Sequence, residues 1–376
     1  MNYAASPSLK RGELISFNQI HVISETAASS LLSLSGLVQQ PICNETRLYR
    51  FKYYTLDPYD QYTIASGQIA IPVINAPLNI LSYQHGTATH RYRVPSRLSY
   101  ESGIINSAFF SAWGQFITIQ PDYVGLGDSS FPIHPYLQPH SLANATVDGL
   151  FAAIKVINMI HQPGHTHLTA LAGYSEGGLA TLAALREIEL NHHLSIYATA
   201  AGAGPYEFWP NIHAILNKPG LSSSLFTAYF LYSLQSIYQF WPSLESIFKL
   251  PYANLIPDLF NGQCDHEMII GALPAHIKDL INQDFLEKLT QGHESNINLT
   301  AEQFRFSQWN PKGAIQLAGA SLDNEVPFFN SENLFKSWSK LSKNIDLVNI
   351  GDYGHLDGKI ATLKAQFKFL IDKQKS

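Results

Sequence analysis

The sequence predicts an α/β fold: a mostly parallel, doubly wound sheet with an inserted, mainly helical segment. Three observations carry this expectation. Short runs of unbroken apolar residues, the mark of strands buried on both faces, alternate with helical stretches. A gap from residue 203 to residue 313 separates two of those runs, far longer than the connections such sheets ordinarily use. The 376 residues are 45% hydrophobic and only 14% charged, enough apolar material for one large core without staples.

Residues 46–55 (TRLYRFKYYT) and 62–73 (YTIASGQIAIPV) alternate as half-buried paired strands do, with a turn at Asp57 to Asp60 between them. Continuous apolar runs follow at 78–84, 116–120 and 167–173. The first ends in His85-Gly86-Thr87, the second in PDYVGLGDSS, and the third in Tyr174-Ser175-Glu176-Gly177-Gly178. Further strands are expected at 196–202, 314–319 and 346–351. Helices are expected over 101–114, over 141–160 with Ser141 as the cap, over 176–190 and over 358–371. Residues 1–202 and 314–376 then form one core, and 203–313 form an inserted cap or lid.

Composition removes several functions. The net charge of −5 lacks the basic stripe a nucleic-acid binder uses to release counterions. Two cysteines, Cys43 and Cys264, make neither a disulfide framework nor a Cys-based zinc site. The stretch 219–244 is uncharged and long enough for a membrane span. Its scattered Ser, Gln, Thr and Tyr, and its bracketing Pro219 and Pro242, point instead to a buried amphipathic helix, with an interfacial helix as the other alternative. Met1 to Leu9 show no basic region followed by an apolar core, so no secretory signal is legible there.

Chemistry concentrates at Gly173-Tyr174-Ser175-Glu176-Gly177. A serine on a sharp strand-to-helix turn sits at strained dihedrals, and its neighbours two residues away must be small. Gly173 and Gly177 supply that space, and the following helix turns its positive end toward the site. Ser175 is therefore the candidate nucleophile. Glu176 matters through its backbone N–H, as an oxyanion donor, while its carboxylate reads as a helix-start acid favoured by the dipole.

A serine hydroxyl needs a base, and the base an orienting carboxylate. The expected chain order is serine, acid, histidine. Asp323 follows the strand at 314–319, with Glu325 as its competitor, and His355 follows the last strand. Both lie past the carboxyl end of a strand, where open α/β sheets place their sites. His165, His167, His192 and His193 fall away from that edge and read as surface or capping residues. Asp352 and Asp357 read as loop residues near His355. The second oxyanion donor is expected from Gly86 or Thr87, in the loop after the third strand of this reading. His85 would shape that loop, while Asp122 and Tyr123 either border the site or serve structure. No His-Glu-x-x-His spacing offers a metal site, and the chemistry requires no cofactor.

The motifs Ser-Tyr-Gln-His-Gly-Thr (82–87), Pro-Asp-Tyr-x-Gly-Leu-Gly (121–127), His-Pro-Tyr-Leu (134–137), Gly-Tyr-Ser-Glu-Gly-Gly (173–178), Asp-x-x-Val-Pro (323–327) and the terminal Gly-His occur in this order. Together they resemble the bacterial branch of the secretory lipase family, α/β-hydrolases similar to fungal lipase A. The resemblance covers roughly residues 10 to 370. It implies an N-terminal segment wrapped on the sheet, a helical cap before the acid's strand, and a Ser175-Asp323-His355 triad acting on carboxylic esters. Fungal members carry an acidic residue where this chain has His-Gly-Thr.

The expected activity is that of a serine esterase or lipase working through an acyl-enzyme. A peptidase or acyltransferase on the same fold is the alternative, and a non-catalytic lipid binder is the remote one. Small-molecule esters or lipids are the expected partners, met by Tyr174, Phe208, Trp209, Phe226 and Tyr229, and the aromatic stretch suits a peripheral lipid contact. The resemblance favours a secreted or periplasmic protein, with a cytoplasmic one left open.

Overall fold

The apolar runs become the inner strands of a nine-stranded sheet, because strands covered on both faces must bury every side chain. A computed structural model describes residues 9–160, 168–217 and 221–374. The strands are β1 (Leu14–Ile23), β2 (Thr46–Leu56), β3 (Tyr62–Pro72), β4 (Asn79–Gln84), β5 (Phe116–Pro121), β6 (Thr169–Tyr174), β7 (Ile196–Gly202), β8 (Ala314–Gly319) and β9 (Ile345–Asn349). Their order across the sheet is β1-β2-β3-β5-β4-β6-β7-β8-β9. The pairs β1–β2, β2–β3 and β3–β5 are antiparallel, and every pair from β5 through to β9 is parallel.

Helices cover both faces. They are α1 (Glu25–Leu34), α2 (Pro139–Ile160), α3 (Glu176–Asn191), then α4 (Phe208–Asn217), α5 (Leu221–Tyr238), α6 (Tyr252–Leu259), α7 (His266–Ala272), α8 (Ile277–Leu280), α9 (Gln283–Thr290) and α10 (Ser295–Ala301), and finally α11 (Phe329–Trp338) and α12 (Gly358–Gln374). The strand alternation sorts side chains between two layers. Leu171 of β6 joins α2 and α3, while Ala170 and Ala172 join Phe109, Leu363 and Phe369 on the other face. The seven helices α4 to α10 all lie in the excursion between β7 and β8.

Three expectations need correction. The N-terminal segment is more than a wrap: β1 is an edge strand of the sheet, so the loop bearing Gly86 follows the fourth strand rather than the third. The long helix starts at Pro139 and not at Ser141, because proline suits a first turn whose N–H groups are unbonded, and Ser141 is buried inside the helix. The helix expected over 101–114 winds with i→i+5 bonds in two pieces, Tyr100–Ile105 and Ser107–Trp113. The cysteines are free thiols, Cys43 buried and Cys264 half-buried. His165, His167 and Pro219 lie outside the described residues.

The uncharged stretch forms α5, whose Leu225, Ala228, Leu231 and Leu234 are almost fully buried, in keeping with the buried-helix alternative. Among the described residues, α2 is the one helix long and apolar enough to cross a membrane, and it is packed on the sheet and α3.

Candidate active site

The site sits where β6 gives way to α3. Ser175 adopts φ 62° and ψ −125°, a left-sided conformation that a β-carbon resists and that the surrounding packing must enforce. Its N–H donates to the Gly202 carbonyl of the neighbouring strand at 2.9 Å. The two flanking glycines make the turn sterically feasible. A Cβ on Gly177 would stand 2.0 Å from the Gln84 carbonyl oxygen, and one on Gly173 would stand 2.2 Å from the Gly177 carbonyl oxygen.

Ser175 Oγ lies 2.8 Å from Nε2 of His355, and His355 Nδ1 lies 2.7 Å from Asp323 Oδ2. The other carboxylate oxygen, Oδ1, accepts the N–H groups of Glu325 at 3.0 Å and Val326 at 2.8 Å. Asp323 thus holds the imidazole, while Glu325 contributes its backbone and leaves its side chain half-exposed. Asp323 and His355 are buried, and Ser175 is partly accessible. Asp352 accepts from the Ser321 hydroxyl and Asp357 is exposed, so neither contacts the imidazole.

Tyr174 lies behind the histidine. Its hydroxyl donates to the His355 carbonyl at 2.5 Å, and the two rings stack 5.2 Å apart. It lines neither of the cavities described below.

Gly86 closes on Ser175: a Cβ there would stand 3.3 Å from the Tyr174 carbonyl and 3.5 Å from Ser175 Cβ. The backbone N–H groups of Thr87 and Glu176 have no acceptor among the described residues. The Thr87 hydroxyl is 3.1 Å from the Tyr136 hydroxyl. His85 turns away from Ser175. Its ring lies against Tyr123, 4.4 Å between centroids, its Nδ1 is 2.6 Å from the Gly86 carbonyl, and burial holds its pKa below the usual value.

The Glu176 carboxylate and His134 acquire roles that sequence reasoning did not assign, and Asp122 takes the structural one of its two expected roles. The Glu176 carboxylate stands at a helix start, as expected, but is wholly buried. Its Oε1 is 2.9 Å from His134 Nε2 and accepts the Leu137 N–H at 3.4 Å. His134 Nδ1 donates to the Val124 carbonyl at 2.8 Å, so the proton between His134 and Glu176 is held in a sealed pair under the turn. No local signal could reveal a partnership between positions so far apart in the chain. Asp122 is also completely buried, accepting the Ser66 hydroxyl at 2.5 Å and the Ser96 N–H at 2.9 Å. Desolvation outweighs those bonds and pushes its carboxyl up to about 6.

Two cavities are lined largely by the excursion between β7 and β8, and neither has Ser175, Asp323 or His355 in its wall. An apolar one of about 40 Å³ is bounded by Leu137, Phe208, Ile212, Phe226 and Phe304. Leu137, in its wall, is tied by its N–H to the Glu176 carboxylate beneath the serine turn. A larger groove of about 360 Å³ is lined by Phe208, Trp209, Glu207 and Arg305 among others. Tyr229 lines neither: it is sandwiched between Tyr136 and Phe260, with centroids 4.4 and 4.9 Å away.

The family model described as secretory lipase matches residues 100–375, most of the chain. The chain belongs to the secretory lipase family. As a member it is a carboxylic ester hydrolase acting on small-molecule esters or lipids, and the family name itself points to secretion. Solved structures agree on the α/β-hydrolase fold. A provisionally assigned hydrolase from Legionella pneumophila is 30% identical over 96% of this chain and 98% of its own, with a TM-score of 0.91. The rice cell wall degrading esterase LipA from Xanthomonas oryzae is 23% identical over 97% of this chain and 98% of its own, with a TM-score of 0.85. Candida antarctica lipase A in its closed state is 17% identical over 97% of this chain and 83% of its own, with a TM-score of 0.74. At these lower identities the likeness concerns the fold. No curated protein sequence matches the chain.

Proposed function

We propose that this secretory lipase hydrolyses its ester through Ser175, His355 and Asp323. The observation that carries the reading is the unbroken relay from carboxylate to imidazole to hydroxyl, at 2.7 and 2.8 Å, ending on a serine held in a strained turn. His355 takes the hydroxyl proton as Ser175 attacks the ester carbonyl, and Asp323 orients the ring and stabilises the imidazolium. The N–H groups of Glu176 and of Thr87 or Gly86 receive the developing oxyanion. His355 returns the proton to the departing alcohol. Water, deprotonated by the same imidazole, then releases the acid from Ser175.

The region 203–313 acts as a cap over this centre, with Phe208 and Phe226 receiving the acyl chain and Trp209 meeting the remainder of the substrate. A space of about 40 Å³ accommodates only a few methylene-sized groups, which favours short acyl chains. Export to the periplasm or the medium is the compartment this reading favours. Ser175→Ala should lower hydrolysis of short-chain nitrophenyl esters by about 10⁶-fold. It should also abolish labelling by a fluorophosphonate while the circular dichroism spectrum stays the same. Turnover retained in that variant overturns the assignment.

A further inference from the structure

An oxyanion donor works only if it is fixed before the charge develops. The loop that carries Gly86 and Thr87 runs through residues 86–94 without regular secondary structure. Something outside it must therefore hold it still. The contacts that do so come from the excursion between β7 and β8. The Arg91 N–H donates to the Gly262 carbonyl at 2.7 Å, and the Thr89 hydroxyl donates to the Cys264 carbonyl at 3.0 Å. The Tyr229 hydroxyl reaches the Ala88 carbonyl at 3.3 Å, and the same tyrosine stacks on Tyr136, whose hydroxyl meets Thr87. At the outer rim Arg93 pairs with Asp265 at 2.9 Å.

Arg91 also ties the loop to the turn after β5. Its guanidinium donates to the carbonyls of Gly127, Ser129, Phe131 and Pro132, and its own carbonyl accepts the Gly127 N–H at 2.8 Å. A planar fork that satisfies several carbonyls at once is a geometry that lysine cannot reproduce.

We infer that the oxyanion loop is permanently braced from two sides, by the segment 262–265 through the Thr89 hydroxyl and the Arg91 N–H, and by the turn after β5 through the Arg91 guanidinium, so that Thr89 and Arg91 are positioning residues and the excursion completes the catalytic centre instead of swinging clear of it. This rests on the assignment of Ser175 and of the Thr87 or Gly86 amide proposed above. Neither Arg91 nor Thr89 touches substrate. Each acts by keeping an N–H aimed at the place where negative charge will appear. Arg93, mostly exposed, adds little to such a brace, because solvent screens its ion pair.

The test is the rate ratio between an oxygen ester and its thionoester, measured on Thr89→Val, Arg91→Ala and Arg91→Lys with active sites counted by fluorophosphonate titration. An oxyanion hole strongly prefers oxygen to the larger, weaker-accepting sulfur. A loosened hole should cut kcat for the oxygen ester by about tenfold, short of the ~10²–10³ for deleting a donor outright. KM should hold, and the oxygen-to-sulfur ratio should fall in step with kcat. Added guanidinium should restore part of the activity of Arg91→Ala. A loss that is equal for both substrates, or that disappears once active sites are counted, overturns the brace and leaves only a stability role. Loss of the nucleophile assignment would show separately, as retained turnover in Ser175→Ala.

Discussion

The two halves of the proposed catalytic centre are held by different means. Ser175, Asp323 and His355 each stand within six residues of the end of a parallel strand, the buried β6 and β8 and the edge strand β9. Their positions follow from the sheet. The oxyanion loop also leaves a buried parallel strand, β4, but then runs on without regular structure to residue 94. It is gripped from one side by the excursion at Gly262 and Cys264, and from the other by the turn after β5. The difference teaches that the nucleophilic half is encoded locally and the electrostatic half is encoded by distant contacts. Damage to the first should act directly on the chemistry. Damage to the second should act by degrees, through geometry and stability.

The sharpest separation on the sheet-borne half is between Asp323 and Glu325. Asp323→Asn should lower kcat by about 10⁴-fold, as expected when an imidazole loses the carboxylate that fixes its tautomer. Glu325→Gln should leave kcat nearly unchanged, since the Glu325 contribution is a backbone N–H. Steady-state kinetics on a soluble ester reads both. Equal losses would mean that the two carboxylates share the task.

A second experiment strikes the far end of the oxyanion loop, where Ser96 is anchored to Asp122. Burial raises the Asp122 pKa from 3.8 to about 6 in the folded protein, so the folded state binds this proton more tightly than the unfolded chain. Its contribution to stability is complete below about pH 4 and is lost as pH rises through about 6. Asp122→Asn lacks that titration. The stability of the variant minus that of the native protein should therefore grow between pH 4 and pH 6, by about 3 kcal/mol at most, and then level off. Urea unfolding across that range measures it, and a flat difference would rule out a buried, titrating Asp122.

The smallest expected effect lies in the excursion itself. Phe226→Ala should enlarge the apolar cavity and move the preferred acyl chain upward. Each further methylene accommodated is worth ~0.8 kcal/mol, or about fourfold in kcat/KM. A panel of nitrophenyl esters of increasing chain length reads the shift. An unchanged profile would place the acyl chain elsewhere, the groove beside Trp209 being the next place to look.

The same contrast explains what could be read before the fold was known. Strands β2 and β3 were legible from their alternation, β4 to β8 from the apolar signature of doubly buried runs, and β9 from a short run of Leu, Val and Ile. The edge strand β1 was not, since most of its residues are half-exposed or exposed and mix Ser, Asn, Gln and His with Leu, Ile, Phe and Val. The serine turn was legible because steric demand restricts its neighbours to glycine. Glu176 was visible as a helix-start acid, but its burial against His134 depends on chain segments 42 residues apart. Arg91 carried no motif at all. Its partners lie in the turn after β5 and in the excursion, and only the tertiary fold brings those together. Tyr174 drew attention as a substrate contact because it adjoins Ser175, yet strand alternation turns it to the side where His355 is supported.

The glycines beside Ser175 also govern how this chain can drift by mutation. Single substitutions out of glycine lead only to larger residues, and the obstacles at Gly173 and Gly177 are backbone atoms 2.2 and 2.0 Å from any added carbon. Backbone cannot step aside as a flexible side chain can. These two positions are therefore as closed to replacement as the serine, although neither one handles substrate. Gly271 in the excursion has nothing within 4 Å of a prospective Cβ and stands open. A lineage of such enzymes would accumulate its variety in the excursion, trying new esters there, while the letters around the serine stay fixed.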